Sequence, residues 1–120
     1  MSTFVHIIDD HEDSVETMTI LLQSEGFKVM AHSSFSKALA ELNHAPCIVF
    51  ADYRVPDKIA FSEFVDECRR LHPDTTIVMT TGDSRARQEA EALGVDFMLK
   101  PIDVDDIVAA AKRLCPSRSS

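Results

Sequence analysis

Cys47-Ile48-Val49-Phe50-Ala51-Asp52 is an unbroken apolar run that stops at a carboxylate. Its length suits a β-strand, and its lack of alternation implies that both faces of that strand are buried. Three further runs have the same form. Phe4-Val5-His6-Ile7-Ile8 leads into Asp9-Asp10, Ile77-Val78-Met79-Thr80 leads into Thr81-Gly82, and Val95-Asp96-Phe97-Met98-Leu99 leads into Lys100-Pro101. Helical patterns separate them. In an open parallel sheet the loops at the carboxyl ends of the strands form the ligand crevice. Three carboxylates, a hydroxyl and an ammonium are therefore expected at one edge, a set suited to a divalent cation and a phosphoryl group.

The intervening segments support this reading. A first helix is expected from about Asp13 to Glu25, with Val15, Met18, Leu21 and Leu22 on one face and Gly26 ending it at positive φ. Phe27–Ala31 alternates like a strand near a sheet edge. A second helix carries Phe35, Ala38, Leu39 and Leu42, capped by Ser33 or Ser34. A third carries Phe61, Phe64, Val65, Cys68 and Leu71, with Pro73 beyond its end. The fourth, about Ser84 to Leu93, has only Ala86, Ala90 and Leu93 as an apolar face, so it is expected to be the most mobile. The last begins at Asp103, which with Asp106 resembles an acidic capping box, and turns Ile107, Val108, Ala111 and Leu114 inward. Five strand–helix repeats define an α/β fold with a doubly wound, five-stranded parallel sheet.

The 120 residues suffice for one domain with one core. We expect that domain over residues 1–115, with 116–120 as a tail or the start of a linker. A net charge of -8 disfavours direct nucleic-acid binding, which needs clustered Lys and Arg. No apolar stretch is long enough for a membrane span, and a strand begins almost at the N-terminus, which leaves no room for a signal peptide. A cytoplasmic protein is expected. Cys47, Cys68 and Cys115 are odd in number and lack metal-ligand spacing, so free reduced thiols are expected. The five histidines form no evident ligand set, and His11 is expected to be solvated.

Asp9 or Asp10 alone could simply stabilise the start of a helix, and Asp52 could simply open a loop. Lys100 could be a surface lysine before a turn, and Thr81-Gly82 a plain turn. Their combination is more specific. Two carboxylates about 4 Å apart repel by roughly 4 kcal/mol at an effective dielectric near 20. They must bind protons or share a cation, and a few hard oxygen ligands with room for water suit Mg²⁺. Lys100 ends the fifth strand at the same edge, where its ammonium can pair with Asp52 or a phosphoryl oxygen.

Asp9-Asp10, Asp52, Pro56, Thr81-Gly82 and Lys100-Pro101 together resemble the signature of CheY-like response-regulator receiver domains, over about residues 4–114. The resemblance implies the strand order 2-1-3-4-5, as in flavodoxin and CheY. It implies that Asp52 is the phosphoacceptor and that Asp10, Asp52 and the backbone carbonyl of Arg54 bind Mg²⁺ or Mn²⁺, with Asp9 assisting through water. Thr81 and Lys100 would contact the phosphoryl oxygens, and Phe97 matches the aromatic switch position. The implied partners are a sensor histidine kinase or phosphotransfer protein, and a second receiver through the helix 4–strand 5–helix 5 face. The domain would be a regulatory phosphoacceptor rather than an enzyme, with weak Mg²⁺-dependent phosphotransfer and autodephosphorylation at its own Asp. Val55 stands where Met is usual, Ala60 where Gly is usual, and the stretch from Thr81 to Lys100 is short.

Other readings stay open on the residues. An Asp-nucleophile hydrolase commonly needs a second carboxylate close after the first, but Arg54 stands two positions on. A flavin or nucleotide module needs a phosphate-cradling loop after the first strand, where this chain has Asp9-Asp10-His11-Glu12-Asp13. A receiver that no longer takes phosphate would act as a binding module only.

Overall fold

A computed structural model describes residues 4–42 and 45–115. The expected tail at 116–120 lies outside the described residues, as does His44. The elements are β1 (Phe4–Ile8), α1 (Glu12–Ser24), β2 (Lys28–His32), α2 (Phe35–Ala40), β3 (Ile48–Asp52), α3 (Phe61–Leu71), β4 (Thr76–Thr81), α4 (Arg87–Leu93), β5 (Asp96–Leu99) and α5 (Val104–Leu114). A 3₁₀ turn, Ser84–Ala86, precedes α4. All strand pairs are parallel, in the order β2-β1-β3-β4-β5.

Successive residues of a strand point to opposite faces of the sheet, so an unbroken apolar run fills two cores at once. In β3, Val49 and Ala51 pack with Ile8, Ile77 and Met79 under α2, α3 and α4. Ile48 and Phe50 pack with Val5, Ile7 and Val78 under α1 and α5. The outer strands β2 and β5 are only half-buried, as the mixed pattern of Lys28–His32 requires of an edge.

The helix ends follow local chemistry. Ser34 Oγ caps α2 by accepting the Lys37 N–H, and Asp103 caps α5 by accepting the Asp105 N–H. Asp106 takes no reciprocal part; its own N–H donates to the Asp103 carbonyl, so the expected capping box is a single cap. At α3, Ala60 has no side-chain acceptor, and only Glu63 reaches back, accepting the Ala60 N–H at 3.3 Å. Ala60 has φ -76°, so the position often taken by Gly needs no left-handed backbone here. Gly26 does, at φ 95°. Leu71, the last residue of α3, is 41% exposed, unlike the buried Phe61, Phe64, Val65 and Cys68. In α5 Ala110 is buried with Ile107 and Ala111, while Val108 and Leu114 are half-buried.

One expectation is overturned. Cys47 and Cys115 form a disulfide across 68 residues, and only Cys68 is a free, buried thiol. The fold brings the residue before β3 against the C-cap of α5, a juxtaposition that no local spacing encodes.

His6 is the polar exception in β1. It is fully buried, its Nδ1 lies 3.1 Å from His32 Nε2, and its Nε2 has no partner among the described residues. The two rings stack with centroids 5.1 Å apart. Burial, with smaller opposition from His32 and His72, lowers the His6 pKa to about 4. The unfolded chain, near 6.5, therefore takes the proton first. His6 contributes no instability above that range, and a cost that grows as the pH falls toward about 4. From about pH 7 to about pH 5 this group alone should remove about 2 kcal/mol of stability. Urea denaturation at both pH values should show a smaller loss for His6→Leu than for the parent chain.

Candidate functional site

The parallel register delivers the chemistry to one edge. Ile8 aligns with Ala51, Asp52 with Thr80, and Thr81 with Leu99. The residues that follow β1 and β5 therefore rise beside the last residues of β3 and β4. Asp9 leaves β1 with its N–H donating to the His32 carbonyl, and Lys100 leaves β5 with its N–H donating to the Thr81 carbonyl. The Lys100–Pro101 peptide bond is cis.

Two nearly buried carboxylates, Asp9 and Asp52, face each other across the β1–β3 junction, each 6% exposed. The Lys100 ammonium joins them, donating to Asp9 Oδ2 at 2.9 Å and to Asp52 Oδ2 at 3.1 Å. Burial is the largest influence on Lys100 and opposes its charge. The two aspartates outweigh it and raise the pKa. Burial likewise acts against the Asp9 anion, but the His11 N–H and the Lys100 ammonium leave its pKa lowered. Asp52 Oδ1 accepts the Arg54 N–H at 3.1 Å, which fixes the carboxylate from its other side.

Asp10 stands at the rim with its side chain 40% exposed. His11, expected to be merely solvated, is exposed yet joined to the site: its Nδ1 lies 2.9 Å from Asp9 Oδ1 and 3.4 Å from Asp10 Oδ1. The hydrogen bond to Asp9 raises its pKa. Asp9, Asp10, His11 and Asp52 each offer a ligand atom, all within 4.8 Å of one another. Three carboxylates against one ammonium leave an excess of negative charge, and hard oxygen donors that include the exposed Asp10 fit a hydrated divalent cation.

Thr81 is buried at the end of β4, where its Oγ1 accepts the Asp83 N–H at 3.2 Å. A Cβ at Gly82 would meet nothing within 4 Å, so the backbone just after Thr81 borders open space. Phe97, half-buried on β5, packs against the α2–α3–α4 side of the core. The Arg87 guanidinium lies over its ring at 4.5 Å from the centroid.

The short fourth helix has the thin apolar face expected, with Ala86 and Ala90 buried. Polar contacts supplement it. Tyr53 donates its hydroxyl proton to Glu89 at 2.5 Å, and Arg54 donates to Asp83 at 2.7 Å. Arg69 donates to the Leu93 and Gly94 carbonyls at 2.6 and 2.9 Å. Glu89, Asp83, Arg87 and Arg69 carried no signal in the linear sequence, because their partners lie on other elements.

The chain matches the response regulator receiver domain family over residues 5–112, and it belongs to that family. Among curated proteins it is similar to the transcriptional regulatory protein FixJ of Azorhizobium caulinodans. The two are 36% identical over 114 residues, which cover 90% of this chain and 53% of FixJ. It is 26% identical to the nitrogen assimilation regulatory protein NtrX of the same organism, over 94% of this chain and 26% of NtrX. The chain thus spans about half or less of these relatives. Among solved structures, the receiver domain of NtrX from Brucella abortus superposes with TM-score 0.82 at 27% identity, covering 92% of this chain and 96% of that one. A CheY-like receiver from Methanospirillum hungatei gives TM-score 0.83 at 21% identity, over 94% of this chain and 93% of that one. Phosphoacceptance in two-component signalling is the function of the family. Among the described residues no helix is long and apolar enough to cross a membrane.

Removing the ammonium would leave Asp9 and Asp52 facing each other unneutralised. Lys100→Ala should still fold, but lose about 1–2 kcal/mol at neutral pH, less than a fully buried pair because Lys100 is 27% exposed. Millimolar Mg²⁺ should restore part of that loss, read from urea denaturation with and without the ion.

Proposed function

We propose that Asp52 accepts a phosphoryl group from a sensor histidine kinase or phosphotransfer protein. The observation that carries this reading is the fixed Asp52 carboxylate, held on one oxygen by the Arg54 N–H and on the other by Lys100, beside Asp9 and Asp10. An Asp52 oxygen forms the new bond to phosphorus as the donor's N–P bond breaks, and the electron pair leaves with the imidazole. Catalysis here is positioning and charge neutralisation. Lys100 orients the nucleophile in the resting state and is placed to follow the transferred oxygens. Asp10, Asp52 and the Arg54 carbonyl would hold Mg²⁺ or Mn²⁺, with Asp9 behind them. The cation, when bound, supplies positive charge for the phosphoryl oxygens. Attack of water on the same phosphorus returns free Asp52 and phosphate, a weak autodephosphorylation.

A hollow of about 330 Å³ beside Asp9 and Lys100, bordered by Ser14, Thr17, Met18 and Ile102, supports approach of a donor protein from the α1–α5 side. At the other side Thr81 is the group placed to swing toward a phosphoryl oxygen, and Phe97 to turn into the space it leaves. Leu99 and Val104, 43% and 38% exposed, support an output or receiver–receiver surface on α4, β5 and α5. We place the protein in the cytoplasm, where histidine kinases deliver phosphate. The net charge of -8 supports output through protein contacts rather than direct nucleic-acid binding by this domain.

Incubation with acetyl phosphate and Mg²⁺ should add one phosphoryl group, about 80 Da, as an acid-stable, base-labile acyl phosphate. Intact-mass measurement should find no such adduct on Asp52→Asn. An undiminished adduct on that variant would move the site elsewhere. Asp10→Ala should lose metal binding and phosphorylation together. Phosphorylation that persists in excess chelator would remove the metal from the reaction.

The stack of Arg87 on Phe97 should hold the ring in its half-buried resting position, from which it would turn further inward. An exposed cation–π pair contributes about 0.5–1 kcal/mol, so Arg87→Ala should raise the inward population by roughly two- to fivefold. The ring chemical shifts of Phe97 in the unphosphorylated variant report it; shifts identical to the parent would show that Arg87 does not bias the ring.

A further inference from the structure

We propose that Cys47 and Cys115 form a reversible, redox-controlled staple that fixes the end of α5 and the point from which the chain leaves the domain. Cys47 directly precedes β3, at the end of the sheet opposite Asp52, and Cys115 is the C-cap of α5. Their Cα atoms lie 5.1 Å apart, and both residues sit in the core cluster beneath α1 and α5.

The two halves of the staple are held differently. The Cys47 backbone is fixed from both neighbouring strands: its N–H donates to the Phe4 carbonyl at 2.9 Å and its carbonyl accepts the Thr76 N–H at 3.3 Å. Among the described residues the Cys115 backbone is held by one hydrogen bond, from its N–H to the Ala111 carbonyl, at a helix end, where opening costs least. Both oxidation states suit the anchored half. Cys47 Sγ lies 3.1 Å from the Phe4 carbonyl oxygen, so a reduced thiol at that position has an acceptor ready. Reduction therefore frees Cys115 and leaves the sheet in place. The third thiol does not compete, because Cys68 is buried in the cluster on the opposite face of the sheet. Burial also raises its pKa to about 11, which leaves little thiolate.

Closure needs a small-molecule disulfide as oxidant. A Cys115 thiolate attacks it and releases one thiol, and Cys47 then attacks the mixed disulfide and releases the second. Two protein thiols lose two protons and two electrons, and the oxidant's disulfide becomes two thiols. A dithiol reductant reverses the exchange. In a reducing compartment the pair rests open, and an oxidising shift closes it. Lys112, which pairs with Glu25 at 2.7 Å, lies in the last turn that the staple secures against α1.

The test treats the 120-residue chain with oxidised glutathione or with dithiothreitol, then counts thiols by alkylation and mass spectrometry in denaturant. One free thiol, Cys68, and a Cys47–Cys115 cross-link are expected after oxidation, and three free thiols after reduction. Closure should slow amide exchange at residues 111–115 about tenfold and raise the thermal midpoint by about 5–10 °C. Cys115→Ser and Cys47→Ser should each lose both responses, while Cys68→Ser keeps them. Phosphorylation by acetyl phosphate should proceed in either state, so its outcome judges the Asp52 assignment separately. Three free thiols after oxidation would overturn the staple. So would a bridge through Cys68 or to another chain, or closure without a change in exchange at residues 111–115.

Discussion

Two nearly buried carboxylates sharing one ammonium organise the functional end of this domain. Asp9 and Asp52 come from neighbouring strands and would repel each other in a medium that screens poorly. Lys100, delivered by the far strand, resolves the conflict by donating to both. The arrangement requires all of β1, β3, β4 and β5 in register, because a slip of one residue would exchange the faces of a strand. The site therefore depends on the same alignment that fills the core.

That alignment in turn explains why the composition of the strands matters more than their number. β3 is buried along its whole length, so it demands cover on both faces, and helices that connect parallel strands supply it. Its one titratable group, Asp52, falls where the cover ends. The position is dry enough to make the charge interactions strong, and it lies beside the exposed Asp10. Asp10, one residue beyond Asp9, is at the rim, which divides the carboxylates into two held within the protein and one facing water. Mg²⁺ takes one or two carboxylates and keeps several waters, and such a set leaves room for both.

The strands, their order of polarity and the residues that end them were legible in the chain, because burial on two faces writes itself as an unbroken apolar run. Asp9, Asp10, Asp52 and Lys100 were legible for the same reason: each sits where a run stops. Contacts between side chains of separate helices left no such trace. His11 reads as a solvated residue after an acidic pair, and only the turn after β1 shows that its ring folds back onto Asp9. The Cys47–Cys115 bridge was misread as free thiols because pairing across 68 residues depends on where α5 ends, not on spacing.

The same distinction separates the two ways in which helices are attached here. α3 and α5 bury broad apolar faces, so small rotations would open cavities and are resisted. α4 buries little beyond Ala90, and polar contacts from Tyr53, Arg54 and Arg69 hold it and the turn before it. Such contacts exchange with water at small net free energy, so they can break and re-form without leaving a void. Tyr53 and Arg54 follow Asp52 directly in the chain, and their partners Glu89 and Asp83 follow Thr81. The strand end that carries Asp52 is therefore tied by hydrogen bonds to α4 and the turn before it. A helix held in this way can shift by population change while the sheet beneath it stays fixed.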